Sequence, residues 1–132
     1  MRILRNLLLI TGFSSVVAAC TSHPIMNVYD RPIPDRLDGQ PHSVQTVANA
    51  IQAGCVDKGW VCREMKPGVI DASISVRKHR ATAVINYSAE RYSIAYKDSY
   101  LLDYNSGRNT IHRNYNRWVN NLDHAIAKNL VR

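Results

Sequence analysis

The chain has 132 residues, 17 Lys+Arg against 10 Asp+Glu, 45% apolar residues and three cysteines. That length fits one small domain, and the composition excludes a disordered tail, a disulfide-dense miniprotein, a collagen-like fibre and a multi-span membrane protein.

Residues 1–19 read as a signal peptide. Met1-Arg2-Ile3-Leu4-Arg5 is a basic start, Leu7 to Phe13 an apolar core, and Ser14 to Ala19 a run of small and apolar residues. A membrane span needs about 20 apolar residues, and this stretch is shorter and broken at Thr11-Gly12. Val17-Ala18-Ala19-Cys20 resembles a bacterial lipobox. The resemblance implies cleavage before Cys20, diacylglycerol on its sulfur and acylation, typically palmitate, of the freed amine. Thr21 in place of Asp after the cysteine implies the periplasmic side of the outer membrane. Each buried methylene adds about 0.8 kcal/mol of membrane affinity, so two or three acyl chains anchor stably. The bland alternative is an ordinary secretory signal with a chance cysteine nearby. Loss of Arg2 and Arg5 leaves a mature chain with fifteen basic and ten acidic side chains. Export argues against nucleic acid as the partner of this charge and points to anionic lipid or glycan.

Residues 20–42 hold the acylated cysteine and four of the five prolines, with no sustained periodicity. They predict a semi-rigid tether that reaches on the order of 70 Å when extended. The alternative is that Ile25 to Tyr29 lies against the domain as an added edge segment.

The domain is expected to span 43–132. Ser43 is a good N-cap, and Val44, Val47, Ala48, Ile51 and Cys55 mark one helix face that ends at Lys58-Gly59. Trp60 to Met65 predicts a short strand and Pro67-Gly68 a turn. Ile70, Ala72, Ile74 and Val76 alternate with polar residues as a half-buried strand. Arg77-Lys78-His79-Arg80 reads as a polar turn, Ala81 to Tyr87 as a central strand, and Tyr92, Ile94 and Tyr96 as a third alternating strand. A loop over 98–109 leads to a last helix capped by Asn109 or Thr110. Its apolar stripe is Ile111, Tyr115, Trp118, Leu122, Ala125 and Ile126. Short turns favour antiparallel pairing. The expected fold is therefore α+β, in two layers. An antiparallel sheet of three or four strands carries an N-terminal and a C-terminal helix on one face, in the order α-β-β-β-α.

Cys55 and Cys62 enclose an eight-residue loop, and a disulfide there would staple the helix end to the sheet. Chain entropy assigns such a loop about 2.5 kcal/mol. The alternative is a free core thiol at Cys55 with Cys62 facing elsewhere. Six intervening residues exclude a C-x-x-C redox pair. The five histidines, His23, His42, His79, His112 and His124, show no metal-ligand spacing and read as solvated, so neither a metal nor any cofactor beyond the lipid on Cys20 is expected. No serine lies in a G-x-S-x-G frame and no carboxylate pair stands out, so no catalytic residue is expected. The tyrosines between residues 87 and 115 suit either core packing or a recognition surface.

Arg77, Lys78 and Arg80 form the densest positive spot and are the candidates for anion binding. On the last helix, His112, Tyr115, Asn116 and Trp118 mix amide, imidazole and aromatic groups and are the candidates for partner binding. The segment around Ile111, His112, Tyr115, Asn116, Trp118 and Val119 resembles the closing helix of small uncharacterised bacterial lipoproteins, a resemblance that supports the fold and implies no activity. The expectation is a lipid-anchored envelope protein acting as a non-catalytic binding or scaffold module for an envelope protein complex. A binder of anionic glycan or lipid headgroups is the alternative, and an enzyme comes third.

Overall fold

A computed structural model describes residues 21–132. The element order is β1 (Ser22–Pro24), β2 (Val28–Pro32), α1 (Val44–Asp57), β3 (Val61–Lys66), β4 (Val69–Val76), β5 (His79–Tyr87), β6 (Arg91–Tyr100), β7 (Thr110–His112) and α2 (Arg113–Leu130). Five strands form one antiparallel sheet in the order β2-β6-β5-β4-β3, and β1 pairs with β7 in a second, two-stranded sheet. The fold is α+β, as the periodicity predicts, with more strands than the three or four expected.

The first helix forms for the local reasons its sequence offers. Ser43 Oγ accepts the Thr46 amide and Thr46 Oγ1 accepts the Ser43 amide, a reciprocal capping box. At the other end Lys58 is the C-cap and Gly59 takes φ +74°, where a side chain would be strained. Val47, Ala48, Ile51 and Cys55 face inward, whereas Val44, on the same face but at the first position of the helix, is exposed. The chain then reverses at once: the Trp60 amide donates to Cys55 O, and a disulfide joins Cys55 to Cys62 on β3. The end of α1 is thereby tied to an edge strand covalently.

Along β4 and β5 the residues that point toward the helices are Ile70, Ala72, Ile74, Ala81, Ala83, Ile85 and Tyr87, all buried. Three alanines among them keep the sheet surface low where the helices cross. Gly54 does the same on α1: a Cβ there would lie 2.9 Å from the Ile126 backbone nitrogen on α2. A bulge between Thr82 and Ala83 on β5 and their β6 partners puts Lys97 in as an extra residue.

The tether expectation for residues 20–42 is corrected over the described part. Residues 22–24 and 28–32 are strands on the domain, Val28 is buried, and Ile25, Met26 and Ile33 pack against the core. The alternative of an added edge segment is the one the structure takes. Proline permits this because β1 and β2 are short and each ends on one: Pro24 and Pro32 stand where a missing amide costs little. Beyond β2, Ile33 donates to Glu90 O and Leu37 to Val131 O, which carries the chain across to the start of α1.

Two boundaries on the C-terminal side also shift. The β6 strand runs on through Asp98 to Tyr100, so the loop is shorter than 98–109. Thr110 to His112 is a strand, and His112 caps α2 in place of Asn109 or Thr110, its Nδ1 accepting the Asn114 amide at 3.1 Å. The β7 strand exists because β1 pairs with it, and that partner lies about ninety residues away in the chain.

Candidate functional site

The β4–β5 hairpin turns in two residues, Arg77 and Lys78, so the polar turn is half the predicted length. Tight hairpins favour Asn-Gly or a glycine because a central residue needs positive φ. Here Arg77 sits at φ +56°. Arg80 follows on β5, and its guanidinium lies 5.1 Å from the centre of the Tyr100 ring on β6, within cation–π range. Arg77, Lys78, Arg80, Tyr100 and Leu101 line one shallow hollow with Ser75. Tyr100 and Leu101 are each about half exposed (53% and 52%), and Leu101 is left-handed at φ +58°. His79 Nδ1 donates to Leu101 O at 2.9 Å, which ties the turn to the end of β6. The three predicted anion-binding residues are therefore brought together, with an aromatic and an aliphatic side chain that sequence reading did not place beside them.

The four residues expected to meet a partner on the last helix do other work. Tyr115 is fully buried, its ring edge-on to Tyr96 at 5.5 Å. Burial pushes its hydroxyl well above the usual phenol range. Asn116 Oδ1 accepts the Met26 amide and its Nδ2 donates to Pro24 O, both at 2.9 Å. His112 caps the helix and pairs with Ser22 across the small sheet. Trp118 is half buried against the core. Asn116 thus binds the chain's own backbone at residues 24 and 26, the His112 imidazole caps α2 and Tyr115 is core, so three of the four are engaged within the fold.

Three of the histidines read as solvated are likewise engaged. His79 and His112 are described above, and His42 bridges Thr46 Oγ1 and Leu130 O at 2.9 and 2.7 Å. Among the described residues no group of three or more His, Cys, Asp or Glu could hold a metal ion.

A buried polar cluster escaped the sequence reading. Asp123 on α2 is 2% exposed and is the one charged residue in the core of the described chain. Tyr92 Oη donates to its Oδ1 and Arg31 Nη2 to its Oδ2, both at 2.6 Å. Both carboxylate oxygens are satisfied, as a buried anion requires. Burial first, and then the bond to Asp123, push the Tyr92 hydroxyl far above its ordinary pKa. The cluster joins β2 and β6 to α2. One signal was present: Asp123 falls among Val119, Leu122 and Ile126, on the apolar stripe.

Across the sheet, the face away from the helices carries short side chains. Asp71, Val84 and Ala95 are in register on β4, β5 and β6, beside Ser73 and Thr82, whose hydroxyls are 3.1 Å apart. Lys97 closes over this face to Asp71 at 2.6 Å. Cys20, the predicted acylation site, lies outside the described residues. No family model, curated protein or solved structure matches the chain.

Proposed function

We propose that the chain is a lipid-anchored cell-envelope protein whose domain works as a non-catalytic binding module in an envelope protein complex. The observation that carries this reading is the asymmetry of the sheet. One face is closed by α1 and α2, while the other presents Ser73, Thr82, Val84 and Ala95 as short side chains beside the Lys97–Asp71 ion pair that crosses it. A rigid sheet with short side chains lets a partner approach closely at small cost in side-chain entropy. The disulfide and the Asp123 cluster hold that face in one shape. The Val17-Ala18-Ala19-Cys20 run supports the anchor, and no helix among the described residues is long and apolar enough to cross a membrane.

A photo-crosslinking amino acid at Thr82 or Ala95, in cells, tests that face, with Lys128 on α2 as the control position. One dominant envelope protein captured from the sheet and not from Lys128 supports the reading; scattered products from all three positions overturn it. Cys20→Ala tests the anchor separately and should abolish acyl labelling and membrane attachment. A second reading, binding of anionic headgroups or glycan, is favoured by the hollow between Arg77, Lys78, Arg80 and Tyr100.

A further inference from the structure

The first described residue is already bonded to the domain: Thr21 O accepts the Arg113 amide at 2.8 Å, and Ser22 pairs with His112. Cys20 is joined to Thr21 by one peptide bond, so consecutive Cα atoms lie about 3.8 Å apart. On the lipid-anchor reading, acylation one residue before Thr21 sets this end of the domain beside the bilayer. The basic tip belongs to that end. Leu102 O accepts the His112 amide at 2.8 Å, and Leu101 O accepts His79 Nδ1 at 2.9 Å. Thr21, the β7 strand, the end of β6 and the β4–β5 turn are thus linked in a short chain of hydrogen bonds. The turn at Pro67-Gly68 is at the far end of the eight-residue β4, about 26 Å away.

Charge is uneven between the two ends. Arg77, Lys78, Arg80, Arg108 and Arg113 stand at the anchor end against two carboxylates, Asp98 and Asp103. None of those five cations is in an ion pair among the described residues. Of the exposed apolar groups, Tyr100, Leu101 and Tyr104 stand beside these cations at the same end, while others, Leu37, Val56 and Met65 among them, lie elsewhere on the surface. Leu101 spends a left-handed backbone to place an aliphatic side chain in solvent, while its neighbour Leu102 is buried. Strain of this kind and exposed apolar groups beside cations mark surfaces that act on something outside the fold.

We infer that this end docks on anionic headgroups of the membrane that holds the lipid anchor, with Leu101 and Tyr100 entering the interface and Arg77, Lys78 and Arg80 meeting phosphates. The inference rests on the lipid-anchor reading. A bilayer is favoured over a glycan because the covalent attachment point and the basic, apolar tip share one end. Each basic side chain near an anionic leaflet strengthens attachment about fivefold, so a few suffice to orient an already tethered domain.

The test uses the full chain expressed with its own signal, purified in detergent and weighed by intact mass spectrometry. It is placed in nanodiscs of phosphatidylglycerol with phosphatidylethanolamine, or of phosphatidylcholine alone, each containing gadolinium-headgroup lipid. Amide signals of Lys78, Leu101 and Arg108 should broaden at least about fivefold more than those of Gly68 and Ala89 in the anionic discs. Phosphatidylcholine, 0.5 M salt (roughly, enough to shorten screening to a few ångströms), R77E/K78E/R80E or L101S should shrink that ratio, with signal dispersion showing that each variant is folded. Equal broadening at both ends overturns docking while leaving the anchor standing. Loss of the ratio on adding soluble muropeptides assigns the tip to glycan and overturns it too. An unacylated mass removes the anchor reading, and this inference with it.

Discussion

Replacement of Gly54 by alanine sets two known effects against each other. In a helix interior the change is worth about 1 kcal/mol of added stability from propensity alone. At this site the new Cβ would stand 2.9 Å from Ile126 Cγ1, 2.9 Å from its backbone nitrogen and 3.0 Å from its Cα, where ordinary contact begins at 3.4 Å. The two helices must separate by about half an ångström, because two of the three obstructing atoms are backbone. Forcing a methyl group into a close-packed core costs about 1–3 kcal/mol, and a backbone obstruction belongs in the upper half of that range. The net expectation is a loss of about 1–2 kcal/mol, and Gly54→Val should lose more. Urea denaturation followed by the fluorescence of buried Trp60 measures it; at a slope of about 1.5 kcal/mol/M the midpoint falls by about 1 M. Ile126→Ala in the Gly54→Ala background should restore under about 1 kcal/mol of coupling, since only one of the three contacts is a side-chain atom. A Gly54→Ala midpoint equal to or above the parent's would refute the close-approach argument.

The Asp123 cluster predicts a loss at high pH. Tyr92 has a folded pKa raised above its unfolded value, so its contribution is complete below about pH 10 and is lost progressively as pH climbs from the unfolded phenol range toward the raised folded pKa. Tyr92→Phe should flatten that loss by up to one proton while costing about 1–3 kcal/mol at pH 7, read from denaturation midpoints at pH 7 and at higher pH. An unchanged pH profile would contradict it. Reduction of the Cys55–Cys62 bond should lower stability by about 2.5 kcal/mol, from the eight-residue loop it closes, and free-thiol titration of the unfolded oxidised protein should find neither cysteine. Asn116→Ala removes both bonds to residues 24 and 26. Hydrogen exchange at Met26 and Val28 should then accelerate by about tenfold, with the β4 and β5 amides unchanged, and retained protection at Met26 would show that the small sheet holds the segment alone.

Local pattern determined much of this protein. The α1 helix, its Ser43 cap, its Gly59 stop, the alternation of β4 to β6 and the stripe of α2 all follow from periods of 3.6 and 2, which are set by residues within a turn or two of each other. The contiguity of Arg77, Lys78 and Arg80 was legible for the same reason, and Cys55 and Cys62 lay close enough in sequence to be considered as a pair. What only the tertiary structure decided involves partners far apart in the chain. Residues 22–32 look like a tether because their prolines and mixed polarity carry no period, yet edge pairing with β6 and β7 needs only a few free amides on one side. That one long-range choice also turned Thr110 to His112 into a strand and moved the cap of α2 to His112. It also committed Asn116 to the chain's own backbone. Asp123 was invisible as a structural centre because Tyr92 and Arg31 reach it from strands thirty-one and ninety-two residues away. Tyr100 and Leu101 beside the basic turn are a product of sheet register, which composition does not encode.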